Sequence, residues 1–158
     1  MITIRRWNRN GYEYDLERDI QARLENCTSF AYLIADINGL KATNDSQGHI
    51  EGDKLIELNA QILQKELASA YKLYRVGGDE FVALYFDKDI AAVAAEAARA
   101  EELSRQHSQG GLPTGLSIGY ADREGRETLT ETMKRAERMM YESKRSYYRE
   151  KGFEQRKV

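Results

Sequence analysis

Arg75-Val76-Gly77-Gly78-Asp79-Glu80-Phe81 joins two apolar runs, Tyr71 to Val76 and Phe81 to Phe86, and its reading decides the fold. Paired glycines reach φ > 0 at little cost, as a tight hairpin demands, and they keep side chains out of the way of a bulky ligand. Two adjacent carboxylates, Asp79 and Glu80, sit in that turn. Held between two strands, they are fixed negative charge beside open backbone, the setting that a divalent cation on a nucleotide phosphate requires. Taken alone, the stretch favours a plainer reading, a hairpin turn with solvated acids. The residues around it decide between the two.

Upstream, Phe30-Ala31-Tyr32-Leu33-Ile34-Ala35 is apolar without alternation, as a strand buried on both faces is, and it runs into Asp36-Ile37-Asn38-Gly39. Asp36 thus stands at the carboxyl end of a core strand. Earlier still, Tyr12, Leu16, Ile20 and Leu24 recur every four residues within Tyr12 to Glu25, one stripe of a helix packed on a sheet. Between strand and hairpin, Leu55, Leu58, Ile62, Leu63 and Leu67 predict a helix over Ile50 to Leu67, preceded by a loop from Asn44 to His49. Beyond the hairpin, Asp87 to Ser104 is alanine-rich with an aspartate near its start and predicts a helix, broken by Gln109-Gly110-Gly111-Leu112-Pro113. Thr114 to Ala121 alternates Leu116, Ile118 and Tyr120 with smaller residues as a strand does, and a turn follows at Arg123 to Arg126. Thr128-Leu129-Thr130-Glu131 has capping-box form and opens a last helix whose inward stripe is Leu129, Met133, Ala136 and Met140, the methionines serving as core filler. Helix, strand, helix, hairpin, helix, strand, helix is an α+β or mixed α/β order, with one sheet covered by helices.

The chain has 158 residues, 41% hydrophobic and 32% charged, which suits one soluble domain over 1–158 with a partial lead-in at 1–11 and a frayed tail at 150–158. A net charge of −2 provides no general attraction to nucleic acid or anionic lipid. Residues 131–158 are locally basic, with 9 cationic and 5 acidic side chains, a solvated helix face or an anion-facing end. The single cysteine, Cys27, forms no internal disulfide, which fits a reducing compartment. No apolar run is long enough to span a membrane and Met1 to Arg6 lacks a signal segment, so the expected location is the cytoplasm.

Asp36 and Asp79 end apolar runs that one sheet can set side by side, and carboxylates so placed share a hard cation such as Mg²⁺, with water and phosphate oxygens completing its shell. Behind Asp36, Asn38-Gly39-Leu40-Lys41 offers backbone N–H groups and a lysine at a possible helix start, suited to a polyphosphate. Asn44 and Asp53 add an amide and an acid; an acid accepting from N1–H and the exocyclic amine distinguishes guanine from adenine. Singly, each has an ordinary reading as a turn asparagine and a first-turn aspartate.

Together these residues resemble a known family. Gly77-Gly78-Asp79-Glu80-Phe81 reproduces the signature of the GGDEF domain, and Asp36-Ile37-Asn38-Gly39-Leu40-Lys41 with Asn44-Asp45, Gly48-His49 and Gly52-Asp53 is similar to its other strong motif. Asn8-Arg9-Asn10-Gly11-Tyr12, Ser117-Ile118-Gly119-Tyr120-Ala121 and Tyr141 with Lys144 resemble further family positions, so the likeness covers nearly the whole chain. The resemblance implies a central, mostly antiparallel sheet surrounded by helices, as in nucleotidyl cyclases and the polymerase palm. It implies a diguanylate cyclase, which condenses two GTP into cyclic di-GMP with release of pyrophosphate. By the same resemblance, Asp36, the Ile37 carbonyl and Asp79 hold Mg²⁺ or Mn²⁺, and Asn44 and Asp53 read guanine. Gly39, Leu40, Lys41 and Lys144 hold the phosphates, and Gly77 and Gly78 leave room for the nucleotide. Catalysis falls to Asp79, Glu80 and Lys41, Glu80 as metal ligand or proton acceptor. The implied partner is a second copy of the chain, facing the first, while a sensor domain belongs outside these residues.

Departures from the family pattern carry expectations of their own. Ala68 and Tyr71 replace the arginine and aspartate of the product-inhibition site, so feedback through it is not expected. Asn38 replaces a second aspartate, and Tyr148 stands where a phosphate-binding arginine belongs, with Arg145 and Arg149 as candidate substitutes. Ile2 to Trp7 occupies the place of the family's leading segment. A module that binds GTP or a protein partner without turnover is the second reading. A templated nucleotidyl transferase is a third, opposed by the near-neutral charge.

Overall fold

The computed structural model describes residues 8–107 and 114–150. The expected helix break at Gln109 to Pro113, most of the lead-in and nearly all of the tail lie outside the described residues. Helix α1 (Arg9–Asp15) opens on Asn8, whose side chain accepts from the Gly11 N–H, and passes through a π turn (Leu16–Ile20) into α2 (Gln21–Asn26). In a uniform α-helix each step of four residues overshoots a full turn by about 40°. The wider π turn absorbs that overshoot, which keeps Tyr12, Ile20 and Leu24 buried on one side.

Strands β1 (Phe30–Asn38), β2 (Lys72–Arg75), β3 (Glu80–Phe86) and β4 (Gly115–Asp122) form one sheet in the order β2-β3-β1-β4, with every pair antiparallel. Strand β1 is buried along its whole length because helices cover both faces. Its odd positions, Ala31, Leu33, Ala35 and Ile37, pack in one core with Leu55 and Leu63 of α4 (His49–Glu66) and Val93 and Ala97 of α5 (Ile90–Gln106). Its even positions, Phe30, Tyr32 and Ile34, pack with Tyr12, Ile20, and Ala136 and Met140 of α6 (Leu129–Glu150). The period of two continues past the apolar run, so Asp36 and Asn38 belong to the α6 face.

Helix α6 rides very close to β4. A Cβ on Gly119 would lie 2.0 Å from the Ala136 carbonyl oxygen and 2.4 Å from the Met140 nitrogen, so only glycine admits this approach. The capping box holds in part: the Glu131 N–H donates to Thr128 Oγ1 at 3.2 Å, while the threonine hydroxyl donates to the Glu131 carboxylate at 3.1 Å.

Two expectations need correction. Asn44 to Gln47 are not loop but the end of a short helix, α3 (Leu40–Gln47), separated from α4 by Gly48 at φ 90°. Helical periodicity is invisible there because α3 buries only Thr43. The hairpin glycines are also not needed for φ > 0: the described glycines in that region are Gly39, Gly48 and Gly125, not Gly77 or Gly78. A Cβ on Gly78 would meet nothing within 4 Å, so what these glycines contribute is open space.

Candidate functional site

The register of β1 and β3 sets Asp36 opposite Glu80, and the Ile37 N–H donates to the Asp79 carbonyl at 2.9 Å. The turn is closed by the Val76 and Gly77 N–H groups, both donating to the Glu80 carbonyl at 3.0 and 3.4 Å. Asp36, Asp79 and Glu80 therefore gather at one end of the sheet. Asp36 is only 8% exposed. Its Oδ2 accepts from Lys144 Nζ at 2.8 Å, whereas its Oδ1 is buried with no hydrogen-bond partner.

Burial pushes the Asp36 carboxyl above the usual carboxylate range, to about 7; Lys144 pulls it down and the neighbouring Asp79 carboxylate pushes it further up. Burial alone would lower the Lys144 ammonium, but its charge attraction and hydrogen bond to Asp36 leave it above the ordinary lysine value. Glu80 is raised by burial and then by Asp79. An excess of partly desolvated negative charge with an orphaned buried oxygen suits a hard cation. Among the described residues no group of three or more His, Cys, Asp or Glu is arranged to hold a metal ion. The donor set is thus two carboxylates with backbone, which suits Mg²⁺ because it retains water and phosphate oxygens.

Asn38 has turned away from this role. Its amide donates to Ser117 Oγ at 2.9 Å and accepts in return at 3.2 Å, fully buried between β1 and β4. Gly39 follows in the left-handed region, φ 80°, and starts α3 without a side-chain cap. Its carbonyl accepts from the Thr43 N–H and hydroxyl at 2.9 and 2.8 Å, and its own N–H donates to the Tyr148 hydroxyl at 3.4 Å. Leu40 leans on the core and Lys41 is exposed at the start of the helix.

Asn44 and Asp53 sit on α3 and α4. The Asn44 amide lies directly over Gly52, where a Cβ would fall 1.7 Å from Oδ1, and that oxygen is buried without a partner. Asp53 is exposed and shares a cleft of about 1000 Å³ with Gly77, Asn8, Arg9, Ile56 and Arg75. Of the candidate phosphate cations, Lys144 engages Asp36, while Arg145 and Arg149 are exposed.

Two arginines were not singled out for the site. Arg9 Nε donates to the Val76 carbonyl at 2.7 Å, and Arg75 donates from Nε to the Gly77 carbonyl and from Nη2 to the Gly78 carbonyl, at 3.2 and 2.8 Å. They brace the turn that carries Asp79. Arg75 was legible as a donor placed immediately before a run of open carbonyls; Arg9, distant in sequence, was not. Tyr71 has a structural task instead of the missing inhibitory aspartate: its hydroxyl donates to Asp19 at 2.7 Å, Arg23 stacks on its ring and Phe86 meets it edge-on.

Comparison with known proteins agrees with this geometry. A family model described as diguanylate cyclase, GGDEF domain, matches residues 6–149. The probable diguanylate cyclase DgcJ of Escherichia coli K12 is 29% identical over 140 residues, which are 89% of this chain and 28% of that protein. Diguanylate cyclase VdcA of Vibrio cholerae is 30% identical over 145 residues, 87% of this chain and 42% of that protein. The chain thus spans less than half the length of either relative. Among solved structures, the GGDEF domain of DgcB from Caulobacter crescentus, in complex with c-di-GMP, superposes with a TM-score of 0.76 at 26% identity, covering 88% of this chain and 83% of that one. No helix among the described residues is long and apolar enough to cross a membrane.

Proposed function

The chain belongs to the diguanylate cyclase GGDEF domain family, and we propose that it is itself a cyclase, condensing two GTP into cyclic di-GMP as two facing copies. The observation that carries this reading is the Asp36 corner: a buried carboxylate with one orphaned oxygen, beside Asp79, at the mouth of a nucleotide-sized cleft. Asp36, the Ile37 carbonyl and Asp79 would hold Mg²⁺ or Mn²⁺, which when bound neutralises charge developing on the phosphates. Gly39 and Leu40 offer N–H groups to the phosphates, and Lys41 and Lys144 offer positive charge. Asp53 and Asn44 read the guanine edge, which makes GTP rather than ATP the substrate.

In the reaction the 3′-oxygen of one GTP forms a bond to the α-phosphorus of the other, the bond from that phosphorus to the bridging oxygen breaks, and pyrophosphate leaves. Glu80 serves this corner as a further metal ligand or as acceptor of the hydroxyl proton. Each copy contributes one GTP, and the step is repeated to close the ring. The protein's share is positioning and charge stabilisation. We read the whole chain, 1–158, as one such domain, working in the cytoplasm where GTP is available.

A module that binds GTP or a protein partner without turnover is the second reading, favoured by Tyr148 standing on the Gly39 amide where a cation was expected. Incubating concentrated protein with Mg²⁺ and GTP distinguishes the two. Cyclic di-GMP and pyrophosphate are expected to accumulate. Bound GTP with no product, even when dimerisation is forced by fusion, overturns the cyclase reading in favour of the module.

A further inference from the structure

The last turns of α6 lie across the metal and phosphate corner and satisfy it internally. Lys144 and Tyr148 are four residues apart and so share a helix face. Lys144 Nζ bonds Asp36 Oδ2 at 2.8 Å, and the Tyr148 hydroxyl oxygen accepts the Gly39 N–H at 3.4 Å. Tyr147 helps to hold the second contact. Its ring meets Tyr148 edge-on, with centroids 5.2 Å apart, and lies 3.6 Å from where a Gly115 Cβ would stand at the start of β4. Its own hydroxyl is buried without a partner, so the closed arrangement carries an uncompensated polar group.

We infer that the end of α6 is a latch on the phosphate side of the site, in which the Tyr148 phenol occupies the Gly39 amide that a triphosphate needs. This rests on the reading of Gly39 as a phosphate donor. One N–H makes one strong hydrogen bond at a time, so phenol and phosphate compete for it. The phosphate oxygen is charged and makes the shorter, stronger bond. A neutral acceptor at 3.4 Å is therefore displaced on binding, and it subtracts from affinity in proportion to the closed population. Tyr148 thus acts as a positioning residue that sets the GTP concentration at which the site fills. An arginine at the same place would add affinity where the tyrosine removes it.

The test is Tyr148→Phe, which keeps the ring and its packing on Tyr147 but removes the competing oxygen. Titration calorimetry with Mg²⁺ and GTP should show binding tighter by up to about fivefold, the worth of one ordinary hydrogen bond. Guanosine, which has no phosphate, should bind both proteins equally. Without nucleotide, the Gly39 amide should exchange its hydrogen faster in the variant. Unchanged or weaker Mg·GTP binding in the variant overturns the latch and leaves the GTP reading standing, as does an unchanged Gly39 exchange rate. Equal tightening of guanosine overturns it too, because the hydroxyl would then be acting elsewhere than on phosphate. Failure of both proteins to bind Mg·GTP brings down the latch and the functional reading together.

Discussion

Two carboxylate–cation pairs tie α6 to the sheet, and they are built on opposite principles. At the turn after β4, Glu127 accepts from Arg135 Nε and Nη2 at 2.7 and 2.6 Å, from the Thr132 hydroxyl at 2.9 Å and from the Glu124 N–H at 3.1 Å. Arg135 also reaches the Asp122 carbonyl. Both oxygens are satisfied, and the Arg135 hydrogen bonds hold the Glu127 carboxyl well below the usual range, to about 2. At the other end of α6, Asp36 has one bond, from Lys144, and one orphaned oxygen, and burial moves its carboxyl the other way. The same helix thus carries one pair in which the charge is fully compensated and one in which it is not. The first stabilises the fold, and the second keeps capacity for a ligand at the expense of the fold.

The sharpest way to break the comparison is to neutralise each carboxylate in turn. Asp36→Asn should lower cyclic di-GMP formation by at least about a hundredfold, the scale on which loss of a charge-stabilising group is felt. Its melting temperature should hold or rise, because an under-compensated buried charge has been removed. Paired turnover and melting measurements check both halves, and a large fall in melting temperature would make Asp36 a structural residue like Glu127.

Gly119→Ala tests what the two pairs share, the close ride of α6 on β4. The added methyl meets backbone at 2.0 Å, so the helix must lift. A loss of about 2–3 kcal/mol in denaturant unfolding is expected, as for an overpacked core. Turnover should fall with it, since Lys144 is carried on the displaced helix.

Glu127→Gln should have the smallest effect, about 1–2 kcal/mol of stability from weakened charged hydrogen bonds, with turnover of the folded protein preserved. Its pH dependence carries a sign. A carboxyl whose pKa is depressed on folding contributes stability above its ordinary value of 4.5, and that contribution is lost as pH falls towards about 2. Acid unfolding curves of the wild type should therefore be steeper through this window than those of Glu127→Gln. Identical slopes would mean that the Arg135 pair contributes little.

Much of this was legible in the chain. The unbroken apolar run Phe30 to Ala35 marked a central strand because a strand covered on both faces has no need to alternate. The turn at Gly77-Gly78 was correctly placed, but for a reason that the backbone does not support, since open space and not φ > 0 is what those glycines contribute. Helix α3 was read as loop because a short helix with a single buried residue has no apolar stripe to detect. The brace by Arg9 was beyond any local pattern, since it joins residues 67 positions apart.

The sequence by itself determined which groups are available: acids at Asp36 and Asp79, a phosphate-ready turn at Gly39, an amide and an acid at Asn44 and Asp53, and Tyr148 in place of a cation. These are properties of residue type and spacing along single elements. Only the tertiary structure decided how the groups share each other. Because β1 continues its period of two through Asp36 and Asn38, both fall on the α6 face, and because Gly119 lets α6 down onto β4, Lys144 reaches Asp36 and Tyr148 reaches Gly39. Hydrogen bonds and desolvation act between elements brought together by packing, and a linear chain does not record which of two competing partners a buried group will find.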